Sequence, residues 1–334
     1  MLTDKFPSVS LSHTPTPLEF LPNISKQCGT NIWIKRDDCT GLAFGGNKSR
    51  QLEFYIGHAL SLGADILLTT GAVQSNHVRM TVAAARKSGL DIQVQLEHRV
   101  DREQKEYQNS GNPFLVKLMG VEPFYYPEGE DEDGADKALY QRAEKLKKEG
   151  RTPYVIPLSN ARTPYGALGY VAAAEETLTQ VKQLKLNVSA YVVPTGSAST
   201  HAGFLTGLRI LVQDTPVIAF CVRRDATAQK NRVMTKIDSL CELMGLKDVV
   251  EEFDIICRDE TLQPGYGLLN TKTEQAIALM ARTEAILLDP TYSGKAFAGL
   301  LHMIEQGEFG AEDNLVFLHT GGTPALFGYP ELVE

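Results

Sequence analysis

The chain of 334 residues lacks the features that mark several classes of protein. Its five cysteines are odd in number and none stands in a Cys-x-x-Cys pair, so neither a disulfide framework nor a zinc site is indicated. The seven histidines are scattered, without a His-Glu-x-x-His arrangement, and we expect no metal. No apolar run approaches the length of a membrane span, so we expect no membrane partner.

Basic residues are outnumbered by acidic ones, 33 to 41. A formal net charge of −8 argues against a nucleic-acid partner, because such proteins usually carry a basic surface. The first residues include Asp4 and Lys5 and no apolar core, so we expect no signal peptide and a cytoplasmic enzyme. The length exceeds that of a usual single core and favours two domains.

Short apolar runs alternate with helical patterns along the chain. The runs are 66–69, 92–96, 154–156, 190–193, 217–222, 286–288 and 315–319. This alternation predicts β-α-β units and parallel sheets covered by helices on both faces.

Lys48 follows two glycines and an asparagine, at a point where a loop ends and a helix-prone run begins. The positive end of the peptide dipoles at a helix start disfavours an ammonium group. A neutral lysine amine can attack a carbonyl and hold it as a Schiff base. An ordinary surface lysine in a first helical turn would show the same local pattern, so the interpretation depends on other segments.

One such segment is the apolar run 190–193 and the small, hydroxyl-rich loop after it. The loop is Thr195-Gly196-Ser197-Ala198-Ser199-Thr200, and the small residues 202–208 then predict a closely packed helix. A strand, a polar loop and a helix N-terminus form an anion site, although an ordinary β-α turn has the same composition. A phosphate site far along the chain from a reactive lysine suggests pyridoxal phosphate, which carries both a phosphate and an aldehyde.

A second polar helix start follows the apolar run 66–69. Ser75 or Asn76 is a plausible N-cap of an alanine-rich helix around 80–85. Simple capping explains these residues. The functional alternative is a pocket for the carboxylate of an amino-acid substrate, since free N–H groups and a hydroxyl meet there.

Six motifs occur in an order that carries a resemblance to a known family. They are IKRDD (34–38), GGNK (45–48), QSNH (74–77), PGYG (264–267), LDPTYSGK (288–295) and HTGGTPAL (319–326). The sequence resembles the family of 1-aminocyclopropane-1-carboxylate (ACC) deaminase and D-cysteine desulfhydrase, among the tryptophan-synthase-β-like, fold-type II pyridoxal-phosphate enzymes. The match runs from near Thr14 to Tyr329.

The resemblance implies an α/β fold with two open, twisted, mainly parallel sheets flanked by helices. A small domain, residues 52–163, is inserted in a larger pyridoxal-phosphate-binding domain, residues 1–51 plus 164–334. The polar stretch 159–164 bounds the insert, and the cofactor lies in the cleft between the domains. The family is dimeric, so a homodimer is expected.

The resemblance also assigns roles to matching residues. It makes Lys48 the Schiff-base lysine, which afterwards acts as base or acid on the substrate. It places Asn76 on the cofactor's ring oxygen and Ser75 on the substrate carboxylate. The phosphate is held by Thr195, Gly196, Ser197, Ala198, Ser199 and Thr200, although a glycine is common where Ser199 stands. The residues near the substrate are Ser75, Asn76, His77, Tyr266 and Tyr292, and the catalytic ones are Lys48, Ser75, Tyr266 and Tyr292.

Two positions predict the reaction. Deaminases of this family that open the cyclopropane ring have glutamate and leucine where this chain has Ser293 and Thr320. A carboxylate keeps the pyridine nitrogen of the cofactor protonated and makes the ring a strong electron sink, whereas a hydroxyl only hydrogen-bonds a neutral ring. Expelling a good leaving group from the β-carbon needs the weaker sink only. The sequence therefore predicts a β-eliminating lyase. Ser293 with Thr320 is also the pairing found in cysteine desulfhydrases of this family, so the resemblance implies conversion of D-cysteine to pyruvate, ammonia and hydrogen sulfide.

Other functions remain open at this point. The segment 33–42 is similar to L-cysteate sulfo-lyase, which releases sulfite, and Arg223-Arg224 could meet a sulfonate or simply form a solvated loop. ACC deaminase activity is a further alternative, as is an inactive pyridoxal-phosphate-binding protein. A nucleotide-dependent dehydrogenase is disfavoured because the glycine fingerprint is missing.

Overall fold

The computed structural model describes residues 1–129, 131–159 and 163–333, and these form a larger and a smaller sheet. The strands are β1 (Leu18–Phe20), β2 (Asn31–Lys35), β3 (Ile66–Ala72), β4 (Asp91–Glu97), β5 (Phe124–Tyr126), β6 (Pro153–Ile156), β7 (Ala190–Thr195), β8 (Val217–Cys221), β9 (Ile256–Arg258) and β10 (Asn314–Leu318). The larger sheet has the order β1-β2-β10-β7-β8-β9 and the smaller one β5-β4-β3-β6. All pairs are parallel except β1 with β2, so the predicted mainly parallel sheets are confirmed.

Helices cover both faces of the two sheets. They are α1 (Pro22–Cys28), α2 (Lys48–Ser61), α3 (Asn76–Lys87), α4 (Lys105–Asn109), α5 (Asn112–Leu118), α6 (Glu132–Lys148), α7 (Leu168–Leu184), α8 (Ser199–Ile210), α9 (Ala226–Met244), α10 (Thr271–Glu284) and α11 (Ser293–Glu305). Within the described residues, no helix has the length and apolar character needed to cross a membrane.

The alternation of side chains along the strands explains this layering. In β7, Ala190 and Val192 pack with α1, α10 and α11, whereas Tyr191 and Val193 pack with α7, α8 and α9. Every residue of β7 is buried, as expected for a strand covered on both faces. In the smaller sheet, α2 and α3 cover one face and α6 the other.

The order of strands places a crevice at one end of each sheet. The chain runs from β7 outward to β8 and β9 and then returns to insert β10 on the other side of β7. Likewise it runs from β3 to β4 and β5 before β6 pairs with the opposite side of β3. Ligands of open α/β sheets bind at the carboxyl ends of strands where the direction of winding reverses. A ligand site is therefore expected at the residues that follow β7 and β3.

Pro194 lies in β7 without breaking the ladder. β10 pairs with β7 only from Ala190 to Val192, so the missing N–H of Pro194 falls beyond the last bond on that side. The two strands part at this point, and Pro194 lines the cavity that opens between them.

One expected strand is absent. Residues 286–288 have no strand partner, and the prediction of a strand there is wrong. Ile286 and Leu288 are buried in the core, but the carbonyl of Leu287 bonds the ring of His319 (3.2 Å) instead of a neighbouring strand. The apolar character that suggested a strand reflects burial alone.

The expected domain boundaries stay predictions. The smaller sheet lies within residues 66–156 and the larger one outside that range. The expected boundary stretch 159–164 includes residues 160–162, which lie outside the described residues.

Candidate active site

Lys48 is the first residue of α2, as the sequence predicted. It lines two adjoining cavities, and both are also lined by His77, Gly196, Ser197 and Tyr292. Its amine donates to Gln51 Oε1 at 3.2 Å. Burial of the amine lowers the pKa of Lys48 to about 8. The cause is removal of the charge from water and not the helix dipole that the sequence suggested.

The loop after β7 forms one wall of the first cavity. The chain turns at Ala198, whose φ of 74° lies in the left-handed region, and α8 begins at Ser199, earlier than the run 202–208 suggested. The N–H groups of the first turn of a helix have no partner inside the helix, so they face the cavity as donors. A non-glycine residue in this conformation is strained, a feature that concentrates at ligand sites.

Side chains from α2 hold this loop in place. Thr200 Oγ1 accepts hydrogen bonds from Asn47 Nδ2 (2.8 Å) and Gln51 Nε2 (2.9 Å). With its lone pairs occupied, Thr200 can offer its hydroxyl proton to a bound anion. The side-chain amide of Gln51 therefore links Lys48 to Thr200 in the loop after β7. His201 also lines the cavity.

Not all of the six predicted phosphate-loop residues present their side chains in the same way. Thr195 lines the cavity, but its hydroxyl oxygen accepts from Gln229 Nε2 at 2.8 Å. Ser199 is buried and does not line either of the two cavities. Gly196, Ser197, Ala198 and Thr200 all line the first cavity.

The N-terminus of α3 forms the facing wall. Ser75 is its N-cap, with Oγ accepting from the N–H of Val78 at 3.1 Å, so the hydroxyl proton remains for a ligand. Ser75 lines the second cavity, Asn76 the first, and His77 both. A hydroxyl and the free N–H groups of a first turn suit a carboxylate.

His77 is a neutral imidazole at this wall. Burial, with the nearby charges of Lys48 and Arg99, lowers the pKa of His77 to about 3. Its Nε2 lies 2.9 Å from Thr69 Oγ1, and that hydroxyl donates to the carbonyl of Ile156 (3.0 Å). Thr69 must therefore accept from His77, which places the proton on Nε2 and leaves Nδ1 as an acceptor.

Tyr266 and Tyr292 meet at the second cavity. Their hydroxyl oxygens lie 2.8 Å apart and their rings are edge to face. Burial raises the pKa of both phenols, so both stay protonated at neutral pH. One hydroxyl donates to the other, and the second proton is left for a ligand.

Thr320 and Ser293 occupy different environments. Thr320 lines the first cavity, whereas Ser293 lines neither of the two. Ser293 Oγ donates to Asp289 Oδ1 (2.6 Å) and accepts from the N–H of Asp289 (2.7 Å). Burial raises the pKa of Asp289 even though Ser293 and the N–H groups of residues 291–293 donate to its oxygens. The expected contact of Ser293 with the cofactor stays untested.

Four arginines line the second cavity beside Ser75 and Tyr266: Arg99, Arg223, Arg224 and Arg232. All four surround the carboxylate of Glu132, the first residue of α6. It pairs with Arg223, with Arg224 at 2.8 Å and with Arg232 at 3.1 Å, and Arg99 lies 3.9 Å away. Arg99 also pairs with buried Glu97 at 2.7 Å. Guanidinium groups recognise carboxylate, sulfonate and phosphate oxygens.

The residues fit pyridoxal phosphate, the cofactor that the resemblance implies. The Gly196–Thr200 loop, the first turn of α8 and the hydroxyl of Thr200 suit its phosphate. The poorly hydrated amine of Lys48 suits its aldehyde. A side chain on Gly196 would meet Val222 at 3.0 Å and Tyr292 at 3.5 Å, so a glycine keeps the cradle open.

Sequence reasoning missed several residues of this site. Asn47, Gln51, Arg99 and His201 received no role, and neither did Asp289 or Glu132. Arg99 directly follows β4, and residues after neighbouring parallel strands converge at one edge, so its position could have been found. Glu132 begins a helix distant from the motifs, and no local signal marks it.

Comparison with known proteins gives the family. A family model described as pyridoxal-phosphate dependent enzyme matches residues 9–321. The chain is 41% identical over 325 residues to a D-cysteine desulfhydrase of Salmonella paratyphi C, covering 97% of each chain. It is 40% identical over the same length to a D-cysteine desulfhydrase of Salmonella typhi, with the same coverage.

Solved structures agree on the fold. A crystal structure of an ACC deaminase homologue matches with a TM-score of 0.88 and 39% identity, covering 99% of this chain and 96% of the other. O-ureido-L-serine synthase matches with a TM-score of 0.68 and 16% identity, covering 97% of this chain and 93% of the other, which shows a shared fold only.

Proposed function

The chain belongs to the family of pyridoxal-phosphate dependent enzymes, and we propose that it is a carbon–sulfur lyase acting on D-cysteine. One observation carries the proposal. The cavities that Lys48 lines are also lined by the N-terminus of α3, which suits a carboxylate, and by the protonated pair Tyr266 and Tyr292. D-cysteine and water give pyruvate, ammonia and hydrogen sulfide. The curated relatives named D-cysteine desulfhydrase support this choice of substrate.

The substrate is held by its carboxylate at the start of α3. Ser75 donates its hydroxyl proton, and the N–H groups of Asn76 and His77 complete the site. His77 Nδ1, an acceptor in the neutral ring, can accept a hydrogen bond from an ammonium group or a thiol. These groups orient the Cα–H bond of the substrate toward Lys48.

Pyridoxal phosphate, when bound, withdraws electrons from the substrate α-carbon and so weakens its bond to hydrogen. Lys48 Nζ then removes this proton, because a pKa near 8 leaves a usable neutral fraction at physiological pH. The Cβ–S bond breaks as the new Cα–Cβ double bond forms. The tyrosine pair supplies a proton to the departing sulfur, since both phenols hold their protons at neutral pH.

We expect the hydroxyl of Ser293, which stands where the cyclopropane-opening deaminases have glutamate, to favour elimination over ring opening. Thr320, the second position that differs from those deaminases, lines the first cavity. A hydroxyl does not keep the pyridine nitrogen of the cofactor protonated, so the ring withdraws electrons less strongly. Sulfide is a good leaving group and does not need the stronger pull.

Product analysis tests this proposal. Purified protein loaded with pyridoxal phosphate should release sulfide and pyruvate from D-cysteine and less of both from L-cysteine. Lys48→Ala should abolish release, and Lys87→Ala, on the exposed end of α3, should not. Formation of 2-oxobutanoate from ACC without sulfide from D-cysteine would refute it. A loaded, coloured protein without any turnover would indicate the inactive-binder alternative.

The arginines of the second cavity favour one other candidate, L-cysteate sulfo-lyase. Four guanidinium groups beside the carboxylate site suit a substrate with a second anion on its β-carbon. Release of sulfite from L-cysteate would establish this activity. Arg99→Met should then raise the KM for L-cysteate about tenfold, through loss of a charge-assisted bond, and change the KM for D-cysteine much less.

A homodimer, a cytoplasmic location and an inserted domain spanning 52–163 are part of the proposal. The sequence resemblance supports the dimer and the insert. Light scattering of the purified protein and fractionation of the producing cells test the first two. Limited proteolysis near residues 159–164 tests the third.

A further inference from the structure

Arg79 is an arginine of α3 with no exposed surface. It donates hydrogen bonds to neutral oxygens of the described residues, and the charge of buried Asp289 acts on it at longer range. Burial lowers the pKa of Arg79 to about 9, so the group is still a cation at neutral pH. An arginine buried among neutral partners is costly to the fold, which calls for a function.

The guanidinium joins three segments that build the active site. Nη1 donates to Asn76 Oδ1 at 2.9 Å and to Asn112 Oδ1 at 2.6 Å. Nη2 donates to the carbonyl of Gly45 at 3.0 Å, in the loop that leads into Lys48. Asn112, at the start of α5, also donates from Nδ2 to Asn76 Oδ1 at 3.0 Å.

These bonds determine which way both amides point. A guanidinium has only donors, so Asn76 and Asn112 must each turn their oxygen toward Arg79. Asn76 Oδ1 then holds two hydrogen bonds and Asn76 Nδ2 lies on the other side, where a side chain on Gly322 would come within 2.8 Å of it. Asn76 therefore presents N–H donors, and no acceptor, to the first cavity.

We propose that Arg79 is a positioning residue that acts through Asn76 on the ring oxygen of pyridoxal phosphate. Its charge polarises the Asn76 amide, and the Nδ2 hydrogens stabilise the anionic form of that oxygen. A charge-assisted chain of hydrogen bonds is stronger than a neutral one. Through its bond to Gly45, the same guanidinium also contacts the loop before Lys48. It would thereby fix the position of the Lys48 amine relative to the ring oxygen.

The inference rests on the cofactor site of the proposed function and is independent of the substrate. Its test is the absorption of the loaded protein without substrate, because the anionic ring oxygen favours visible absorption and the uncharged one near-ultraviolet absorption. Arg79→Met should raise the near-ultraviolet to visible ratio severalfold. It should also weaken cofactor binding about tenfold, the loss of roughly one charge-assisted bond.

Asn112→Asp is the second variant. A carboxylate there pairs with Arg79, neutralises its charge and cannot donate to Asn76, so the ratio should move in the same direction with the fold retained. Arg209→Met is the matched control, since Arg209 is partly buried and paired with Asp254 at 2.9 Å near the far end of α8. The control should lose stability without changing the ratio.

The outcomes are separable. If Arg79→Met and Asn112→Asp both keep the wild-type ratio and cofactor dissociation constant, Arg79 serves the fold only and the proposal is wrong. Where Arg79→Met yields no folded protein, Asn112→Asp decides by the same two measurements. Failure to release sulfide from D-cysteine would refute the proposed function and leave these results standing.

Discussion

Gln51→Glu is the most informative change at this site, because it alters the charge beside Lys48 within almost the same shape. The native amide oxygen accepts from Lys48 Nζ at 3.2 Å. A carboxylate at that distance stabilises the ammonium form and should raise the pKa of Lys48 by at least about 1. With the native pKa at about 8, about one amine in ten is neutral at pH 7. The variant should have about a tenth of that fraction.

The assay is the rate at which visible absorption appears after pyridoxal phosphate is added to cofactor-free protein. The neutral amine is the reactive form, so the wild-type rate should rise with pH and level off above about pH 8. In Gln51→Glu the midpoint should move to higher pH. Gln51→Met is the control, because it also loses the bond from Gln51 Nε2 to Thr200 but adds no charge.

Two results would refute this reasoning. The first is a wild-type midpoint at the ordinary lysine value of about 10.4, which would show that burial does not lower the pKa of Lys48. The second is an equal midpoint in Gln51→Glu and Gln51→Met, which would show that residue 51 does not face the reactive nitrogen in solution.

Three further predictions concern other parts of the site. Tyr292→Phe removes a proton donor, so kcat for sulfide release should fall about 100-fold with KM and cofactor absorption nearly unchanged; an equal loss of cofactor would contradict the assignment. Gly322→Ala places a Cβ 2.7 Å from Asp289 on a residue whose φ is 105°, and should lower the free energy of unfolding in denaturant by about 3 kcal/mol. The control Gly63→Ala, where no atom lies within 4 Å of the new Cβ, should lower it by about 1 kcal/mol. His77 stays neutral in the folded protein but takes up a proton in the unfolded chain below about pH 6.5. The free energy of unfolding should therefore fall by about 1.4 kcal/mol for each pH unit below that value. His77→Gln should lack that slope, and an unchanged slope would show that His77 charges in the folded protein.

Local sequence was enough for the elements and motifs that depend on neighbouring residues. The N-cap at Ser75 and the helix start at Lys48 follow from short-range hydrogen bonding and from glycine and asparagine in the loop. The buried strand Ala190–Thr195 follows from the apolar run 190–193 and extends two residues beyond it. The run 286–288 shows the limit of this approach, because burial against a helix and pairing in a sheet need the same apolar residues.

Sequence by itself determined that this chain is an α/β protein with a lysine at a helix start, a hydroxyl-rich loop after a buried strand and two polar helix N-termini. Each of these depends on residues that are close along the chain. Only the tertiary structure decided what surrounds them. It placed Gln51 between Lys48 and Thr200, turned Ser293 toward Asp289, gathered four arginines around Glu132 and set Arg79 behind Asn76. The physical reason is that a pKa, an amide orientation and a charge cluster arise from desolvation and contacts between residues far apart in sequence, which exist only after the sheets and helices have packed.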